Sequence, residues 1–233
     1  MGLIDIASAI LSHATQRVDV SAQNLANATT VGYKARRMPA QAFDLNPAEA
    51  FSASAESPTA VTDFAAGKIT PTGNAFDLAL SGPGFFVVRS RDGALYTRNG
   101  QFSRGGDGRL VTSEGLPVQS SQGDVKLGAD PKILADGTVL DLGQPVARLS
   151  IVDVADTKML SPAGAGLFSA PDDAPREITV PNIRQGALET SNVSTADEMI
   201  AMMASLRSAE MGQHVVQTYD DLMGRALTAF GQS

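Results

Sequence analysis

Apolar positions repeat with helical spacing at both ends of this chain. Near the N-terminus, six of the seven positions 4, 7, 11, 14, 18, 21 and 25 are apolar, and this alternation of three and four predicts an α-helix from about residue 2 to residue 25. At the C-terminus, ten positions from Met199 to Phe230 follow the same spacing, and eight of them are apolar. A pattern sustained over that length is typical of a coiled-coil seam. Ser194 is the expected N-cap, with Asp197 three residues later.

The middle of the chain has a different pattern of residues. All 12 prolines lie between Pro39 and Pro181, so the helix-breaking residues are confined to the region between the two helical patterns. Residues 38–60 show no sustained period and predict a linker. From residue 61 to about residue 185, short runs of β-forming residues alternate with turn dipeptides such as Asp92-Gly93 and Asn99-Gly100. Such closely spaced hairpin signals predict antiparallel strands.

These patterns combine into one expected architecture. We expect an α+β fold in which long N- and C-terminal helices form a coiled-coil core element and a central domain is antiparallel all-β. The expected segments are an N-terminal helix with its following motif (1–37), a linker (38–60), the β domain (61–185) and a C-terminal helix (186–233) that packs with 1–37. A C-terminal helix of this length should need partners, because it would extend well beyond a domain of this size.

Composition restricts the chemistry that this chain can perform. The 18 basic and 25 acidic residues give a net charge of −7, which disfavours nucleic acid as a partner. The sequence has no Cys and only two His, so it lacks the side chains for thiol catalysis and for a cluster of imidazole metal ligands. An enzyme of this composition would have to use carboxylates, Lys, Ser or Tyr. The first 16 residues contain no Lys or Arg, unlike the charged start of a secretory signal.

The stretch from Asn24 to Arg37, NLANATTVGYKARR, differs from an ordinary helix end. Asn24 and Asn27 are three residues apart and share one helix face, where their amides could bond a neighbouring backbone. The β-branched residues that follow, together with Gly32, predict the end of the helix. On these grounds alone the stretch is either a polar helix end with a glycine stop or a contact element.

This stretch resembles the N-terminal signature of the bacterial flagellar rod and hook proteins, in which Asn-Leu-Ala-Asn precedes Thr-x-Gly, an aromatic residue and a basic residue. Further stretches agree with that family in the same order along the chain: TGNAFDLALSGPGFFVV (72–88), DGALYTRNGQFS (92–103), DGRLVTSEG (107–115) and QGALETSNVSTADEMIAMMASLRSAEMGQHVVQTYDDLMGRAL (185–227). The length excludes the multi-domain hook protein. The short linker favours the proximal-rod relative over the distal rod protein, which remains the alternative.

The resemblance implies a structural subunit of the basal-body rod, the hollow shaft that spans the periplasm, transmits torque and surrounds the export channel. Such a subunit is expected not to be an enzyme, to have no cofactor and no metal site, and to bind no small-molecule substrate. It implies export by the flagellar type III apparatus without a cleaved signal peptide. The implied partners are other rod proteins, bound through the terminal helices, the export apparatus and possible surrounding basal-body rings. The residues that we expect at subunit interfaces are Asn24, Leu25, Asn27, Gly32, Tyr33, Met199, Met202, Leu206, Val216, Met223 and Leu227.

A hypothesis from another class remains open on the sequence. The β domain could be a binding module or a wall-acting enzyme presented on a dimeric coiled coil. That hypothesis predicts an oligomer of fixed mass, whereas a rod subunit forms contacts that continue along a helical assembly.

Overall fold

The computed structural model of the chain describes residues 3–39, 59–128 and 131–231. The predicted linker, 38–60, lies largely outside these described residues, as does the side chain of Leu227. The chain divides into two compact units. The helical unit comprises Met1–Ala26, Arg36–Val61 and Val193–Ser233, and the β unit comprises Asn27–Ala35 and Thr62–Asn192.

The described residues contain two α-helices, α1 (Leu3–Ala26) and α2 (Thr195–Gly231), and one 3-10 turn (Thr157–Met159). They also contain nineteen strands: β1 (Arg36–Arg37), β2 (Val61–Thr62), β3 (Ile69–Pro71), β4 (Leu78–Leu80), β5 (Phe85–Ser90), β6 (Gly93–Thr97), β7 (Ser103–Arg104), β8 (Leu110–Val111), β9 (Gln119–Ser120), β10 (Gly123–Asp124), β11 (Pro131–Ile133), β12 (Thr138–Asp141), β13 (Gln144–Arg148), β14 (Ile151–Val154), β15 (Ser161–Gly164), β16 (Leu167–Ser169), β17 (Pro175–Glu177), β18 (Ile183–Gln185) and β19 (Ala187–Glu189).

The β unit is organised around a six-stranded antiparallel sheet with the strand order β15-β16-β6-β5-β14-β17. Strand β5 is central because its first four residues, FFVV, are buried on both faces of the sheet. Phe86 packs edge-to-face on Phe102 in one apolar cluster, and Phe85 packs on Phe64 and Phe168 in another. Smaller antiparallel pairs surround this sheet, including a three-stranded one of β11, β12 and β13.

The helical unit is built from α1 and α2, which pack along each other. Ser194 is the N-cap of α2, as predicted, because the Asp197 N–H donates to its Oγ at 3.4 Å. Among the helix residues whose burial is described, the buried ones are small or polar: Ala14, Ser21 and Asn24 on α1, and Ser205 and Gly212 on α2. Neither helix has, in its described part, an apolar stretch long enough to cross a bilayer.

The expected fold class is therefore wrong. The described residues form nineteen strands and two α-helices, and these two helices do not form a coiled-coil core. Both large apolar clusters lie in the β unit, whereas Met199, Leu206 and Met223 of the predicted seam are each about half exposed, at 51%, 48% and 46%. The physical reason is that α2 turns a row of small residues inward. Small side chains allow two helices to approach closely, but they bury little apolar area.

This distribution of apolar residues predicts different effects of truncation in the two units. Phe86→Ala should lower the free energy of unfolding by about 3–5 kcal/mol, because Phe86 is fully buried and its removal leaves a cavity. Met203→Ala in α2 should change the free energy of unfolding by less than about 0.5 kcal/mol, because Met203 is 52% exposed. Urea denaturation of the purified chain measures both. A Met203 variant as destabilised as the Phe86 variant would contradict this account of where the core lies.

Candidate functional site

Asn24 organises the polar end of the helical unit. Its side chain is fully buried. Its Oδ1 accepts from the Arg36 N–H at 2.8 Å, and its Nδ2 donates to the Arg36 carbonyl at 2.8 Å and to Glu198 Oε1 at 2.9 Å. The side-chain amide thus pairs with Arg36 as a neighbouring strand would. Asn is suited to this position because its amide combines donor and acceptor on one short side chain.

The second half of the sequence motif belongs to the β unit, where Gly32 is held against neighbouring backbone. Gly32 has φ +66°, a conformation that favours glycine, and its N–H donates to the Glu189 carbonyl at 2.8 Å. A Cβ at this position would lie 2.5 Å from the backbone nitrogen of Asn99. The motif glycine is therefore required both by its backbone conformation and by close packing.

Lys34 of the same motif enters a buried ion cluster. Its Nζ lies 2.6 Å from Glu189 Oε1 and donates to the Ala65 carbonyl at 2.9 Å. Glu189 Oε1 also accepts from the Gly67 N–H at 2.8 Å, and its Oε2 lies 3.4 Å from Arg98 Nη1. All three charged side chains are at most 8% exposed. We call Lys34, Arg98 and Glu189 the ion cluster.

The ion cluster holds two cations and one anion in a dry environment. Desolvation lowers the pKa of Lys34, although the hydrogen bond from Lys34 to Glu189 opposes that shift. Desolvation likewise lowers the pKa of Arg98, whose guanidinium lies 5.3 Å from the centroid of the Phe85 ring. Glu189 is therefore the one carboxylate in direct contact with both cations among the described ion pairs. This arrangement stabilises a loop junction and leaves no reactive group facing solvent.

Asn192 supports the same region of the β unit. Its Oδ1 accepts from the Ala35 N–H at 2.7 Å, and its Nδ2 donates to the carbonyls of Asp63 and Ala65 at 2.8 and 3.0 Å. A single amide therefore joins the segment after Lys34 to the loop before β3. Sequence reasoning identified neither Asn192 nor Glu189. For Glu189, the signal available in the sequence was a charged residue at the end of the β-forming run Ala187–Glu189.

The outer surface of α2 is unusually apolar for a helix that faces solvent. Eight large apolar side chains on it are between 37% and 62% exposed: Met199, Ile200, Met203, Leu206, Met211, Val215, Leu222 and Met223. We call these residues the outer face of α2. A single exposed apolar residue is ordinary, whereas eight on one helix make that helix a candidate interaction element.

The structure distributes the predicted interface residues among three environments. Met199, Leu206 and Met223 belong to the outer face of α2. Met202 and Val216 are half-buried on α2, as are Leu25, Asn27 and Tyr33 in the N-terminal stretch. Asn24 and Gly32 are buried and bonded within their own units. The predicted residues are therefore not one continuous surface, and whether each meets another subunit stays a prediction.

Groups of metal-ligating side chains and clefts are the remaining features of the described ranges. No group of three or more His, Asp or Glu side chains there is arranged to hold a metal ion. A cleft of about 380 Å³ lies in the β unit and is lined by both polar and apolar residues.

Asn24→Asp tests the amide pairing in the helical unit. The variant retains the shape and the acceptor, but it loses the donor to Arg36 and Glu198 and places a second carboxylate beside Glu198. We expect the free energy of unfolding to fall by about 2–4 kcal/mol, measured by chemical denaturation at neutral pH. Asp19→Asn, at an exposed position of α1, changes the charge by one in the opposite direction and should have little effect. Equal effects of the two substitutions would show that Asn24 has no special role.

Glu189→Gln tests the ion cluster. The substitution keeps the size of the side chain but leaves Lys34 and Arg98 buried without their anion, so we expect a loss of about 3–5 kcal/mol in the free energy of unfolding. Glu177→Gln, at an exposed position of edge strand β17, is the matched control. A Glu189 variant with the stability of this control would refute a structural role for the cluster.

Two family models match the chain. The model described as the flagellar hook protein FlgE/F/G D1 domain matches residues 79–197, about half of the chain, and the flagellar basal body rod FlgEFG protein C-terminal model matches residues 184–229. The first covers much of the β unit and the start of α2, and the second covers most of α2.

Curated relatives match over nearly the whole chain. The flagellar basal-body rod protein FlgF of Caulobacter vibrioides is 30% identical over 228 residues, with 93% of each chain covered. FlgF of Salmonella typhimurium is 34% identical over 230 residues, with 89% of each chain covered. The flagellar basal-body rod protein FlgG of Agrobacterium fabrum is 28% identical, with 95% of this chain and 97% of its own length covered. The chain therefore belongs to the flagellar rod and hook family and is a basal-body rod protein.

Proposed function

We propose that this structural rod subunit assembles into the rod through the outer face of α2, with neighbouring terminal helices as its partners. The observation that supports this proposal is the set of eight large apolar side chains exposed along one helix. Fully burying side chains of this kind stabilises an association by about 1.5–3 kcal/mol each, before the losses of freedom on binding are subtracted. A few such contacts per subunit suffice for assembly.

The two units have different roles in this proposal because they bury different kinds of residue. The β unit has its own apolar core, so its fold does not depend on neighbours. The helical unit buries mainly small and polar residues and exposes larger ones, so it gains most from association. Contacts between different surfaces of successive subunits continue along an axis and build a filament. Helices packed along that axis would transmit torque around a central channel.

Several finer expectations belong to the same proposal. The subunit is exported through the flagellar type III apparatus without cleavage of a leader, and it lies in the rod where that shaft crosses the periplasm. Its neighbours are other rod proteins and the surrounding basal-body rings. The role requires no catalysis. Relatives named FlgF and FlgG are both consistent with a rod subunit. The identities of 30–34% to three FlgF proteins favour a FlgF-like position in the rod over a FlgG-like one.

A pair of substitutions separates assembly from folding. Met199→Gln combined with Leu206→Gln replaces two apolar residues of the outer face of α2 with polar residues that still favour a helix. The thermal midpoint of the purified monomer should therefore remain within about 2 °C of wild type. In a strain that lacks the native gene, we expect at least a tenfold loss of the subunit from isolated basal bodies and a loss of swimming.

Val180→Gln provides the matched control for that experiment. Val180 is 77% exposed in the β unit, so its substitution also replaces an exposed apolar side chain, but away from α2. We expect normal incorporation and swimming. Normal incorporation of the Met199 and Leu206 double variant would refute the proposed use of this face.

A further inference from the structure

Methionine is concentrated on one surface of the described chain. Half of the eight residues on the outer face of α2 are methionines, and their side chains are 46–62% exposed: Met199, Met203, Met211 and Met223. We call these four residues the methionine site. The whole sequence contains eight methionines, and the β unit contains one of them, Met159. The face that we propose for assembly is therefore also rich in accessible sulfur.

A methionine side chain loses its apolar character in one chemical step. A lone pair of the thioether sulfur attacks one oxygen of hydrogen peroxide, so an S–O bond forms and the O–O bond breaks. The proton of the attacked oxygen moves to the departing oxygen, which leaves as water. The sulfur gives up two electrons and the peroxide accepts them. The product, methionine sulfoxide, is polar and disrupts interfaces that are rich in methionine.

Two members of the methionine site lie on the same part of α2. Met199 and Met203 are four residues apart, so they are neighbours on one helix face. Oxidation of both sulfurs therefore places two polar groups on one contact surface. Met202 precedes Met203 directly in the sequence but is half-buried. These two adjacent residues provide an internal comparison between a less accessible and a more accessible sulfur.

The rest of the chain neither competes for the oxidant nor depends on these four sulfurs. The sequence has no cysteine, so no thiol of this chain reacts with peroxide ahead of the methionines. Each side chain of the methionine site is already in contact with water, which can solvate the sulfoxide oxygen that oxidation adds. Changes at exposed positions of this kind have little effect on the stability of a fold.

We propose that the methionine site is a peroxide-sensitive modification site whose oxidation prevents the unassembled subunit from joining the rod. The inference rests on the proposed function, because a polar outer face of α2 matters only if a neighbouring subunit covers that face. Before assembly the four sulfurs are open to the oxidant. After assembly the neighbour shields them, so the modification acts on subunits that have not yet been incorporated.

The first test measures the oxidation of each methionine. The purified full-length chain is treated with hydrogen peroxide, and the rate at each residue is followed by peptide mass spectrometry. We expect Met203 to be oxidised at least about threefold faster than Met202, because its sulfur is more accessible. The thermal midpoint of the oxidised chain should stay within about 2 °C of the untreated chain. Equal rates for the two residues, or loss of the folded state, would overturn the proposal.

The second test compares incorporation within one cell. Wild type and a variant in which all four residues of the methionine site are replaced by Leu carry different tags and are expressed together in a strain without the native gene. Leucine keeps the apolar surface and the helix but has no sulfur. Peroxide is raised until half of the unassembled wild-type chain carries sulfoxide at the site. Because both chains share one cell, damage to the export apparatus or to other rod proteins affects them equally.

Peroxide should raise the ratio of variant to wild type in isolated basal bodies at least about threefold over the ratio in untreated cells. Met159→Leu, at a position that is 43% exposed in the β unit, is the matched control and should give no such change. An unchanged ratio for the fourfold variant, or an equal rise for the Met159 variant, would overturn the proposal. Failure to oxidise the site at any dose that the cells survive would overturn it as well.

A third measurement separates this inference from the proposed function. Isolated basal bodies that contain the wild-type chain are treated with hydrogen peroxide as the purified chain was. Oxidation of Met199 and Met203 should be at least about threefold slower than in the purified chain, because a neighbour covers them. Equal rates would refute the proposed use of the outer face of α2, and this inference with it. Slower oxidation together with an unchanged incorporation ratio would refute only the inference.

Discussion

The buried carboxylate of Glu189 is the constraint on which the architecture of the β unit depends. It brings together the motif segment at Lys34, the loop at Gly67, the residue that follows β6 at Arg98 and its own strand β19. Taking a carboxylate out of water is costly unless its oxygens are fully bonded. The four segments therefore have little freedom to separate while the unit remains folded. A charge in this position stabilises one arrangement of loops that apolar packing alone would leave less defined.

The two units differ in where they place their large apolar side chains. The β unit buries its phenylalanines and aliphatic residues in its own clusters and is complete as a folded body. The helical unit bonds the buried amide of Asn24 internally, yet leaves large apolar side chains of α2 exposed. Such a surface is a liability in a permanently isolated protein. In the proposed assembly, neighbouring subunits cover this surface, so stability and assembly would depend on different residues.

Much of the local structure could be predicted from the sequence. The spacing of apolar residues placed α1 within one residue at each end, and Ser194 was identified as the N-cap of α2. The family resemblance identified the protein class, which the relatives confirm. The prediction failed where periodicity had to decide which row of α2 faces inward. The predicted row and the row that faces inward lie next to each other on α2, and the half-buried Met202 and Val216 lie between them. The structure buries the row with the smaller side chains, Ser205 and Gly212.

The sequence by itself determined where helices and turns form, because both depend on residues close together along the chain. The sequence also contains the motif by which the family is identified. Only the tertiary structure decided that Asn24 and Gly32 act within the chain, and that Lys34 meets a carboxylate 155 residues away. Pairings over such separations depend on how strands are ordered in a sheet and how loops cross, and no local spacing records that order. The core lies in the β unit for the same reason, since the burial of an apolar side chain depends on what packs over it.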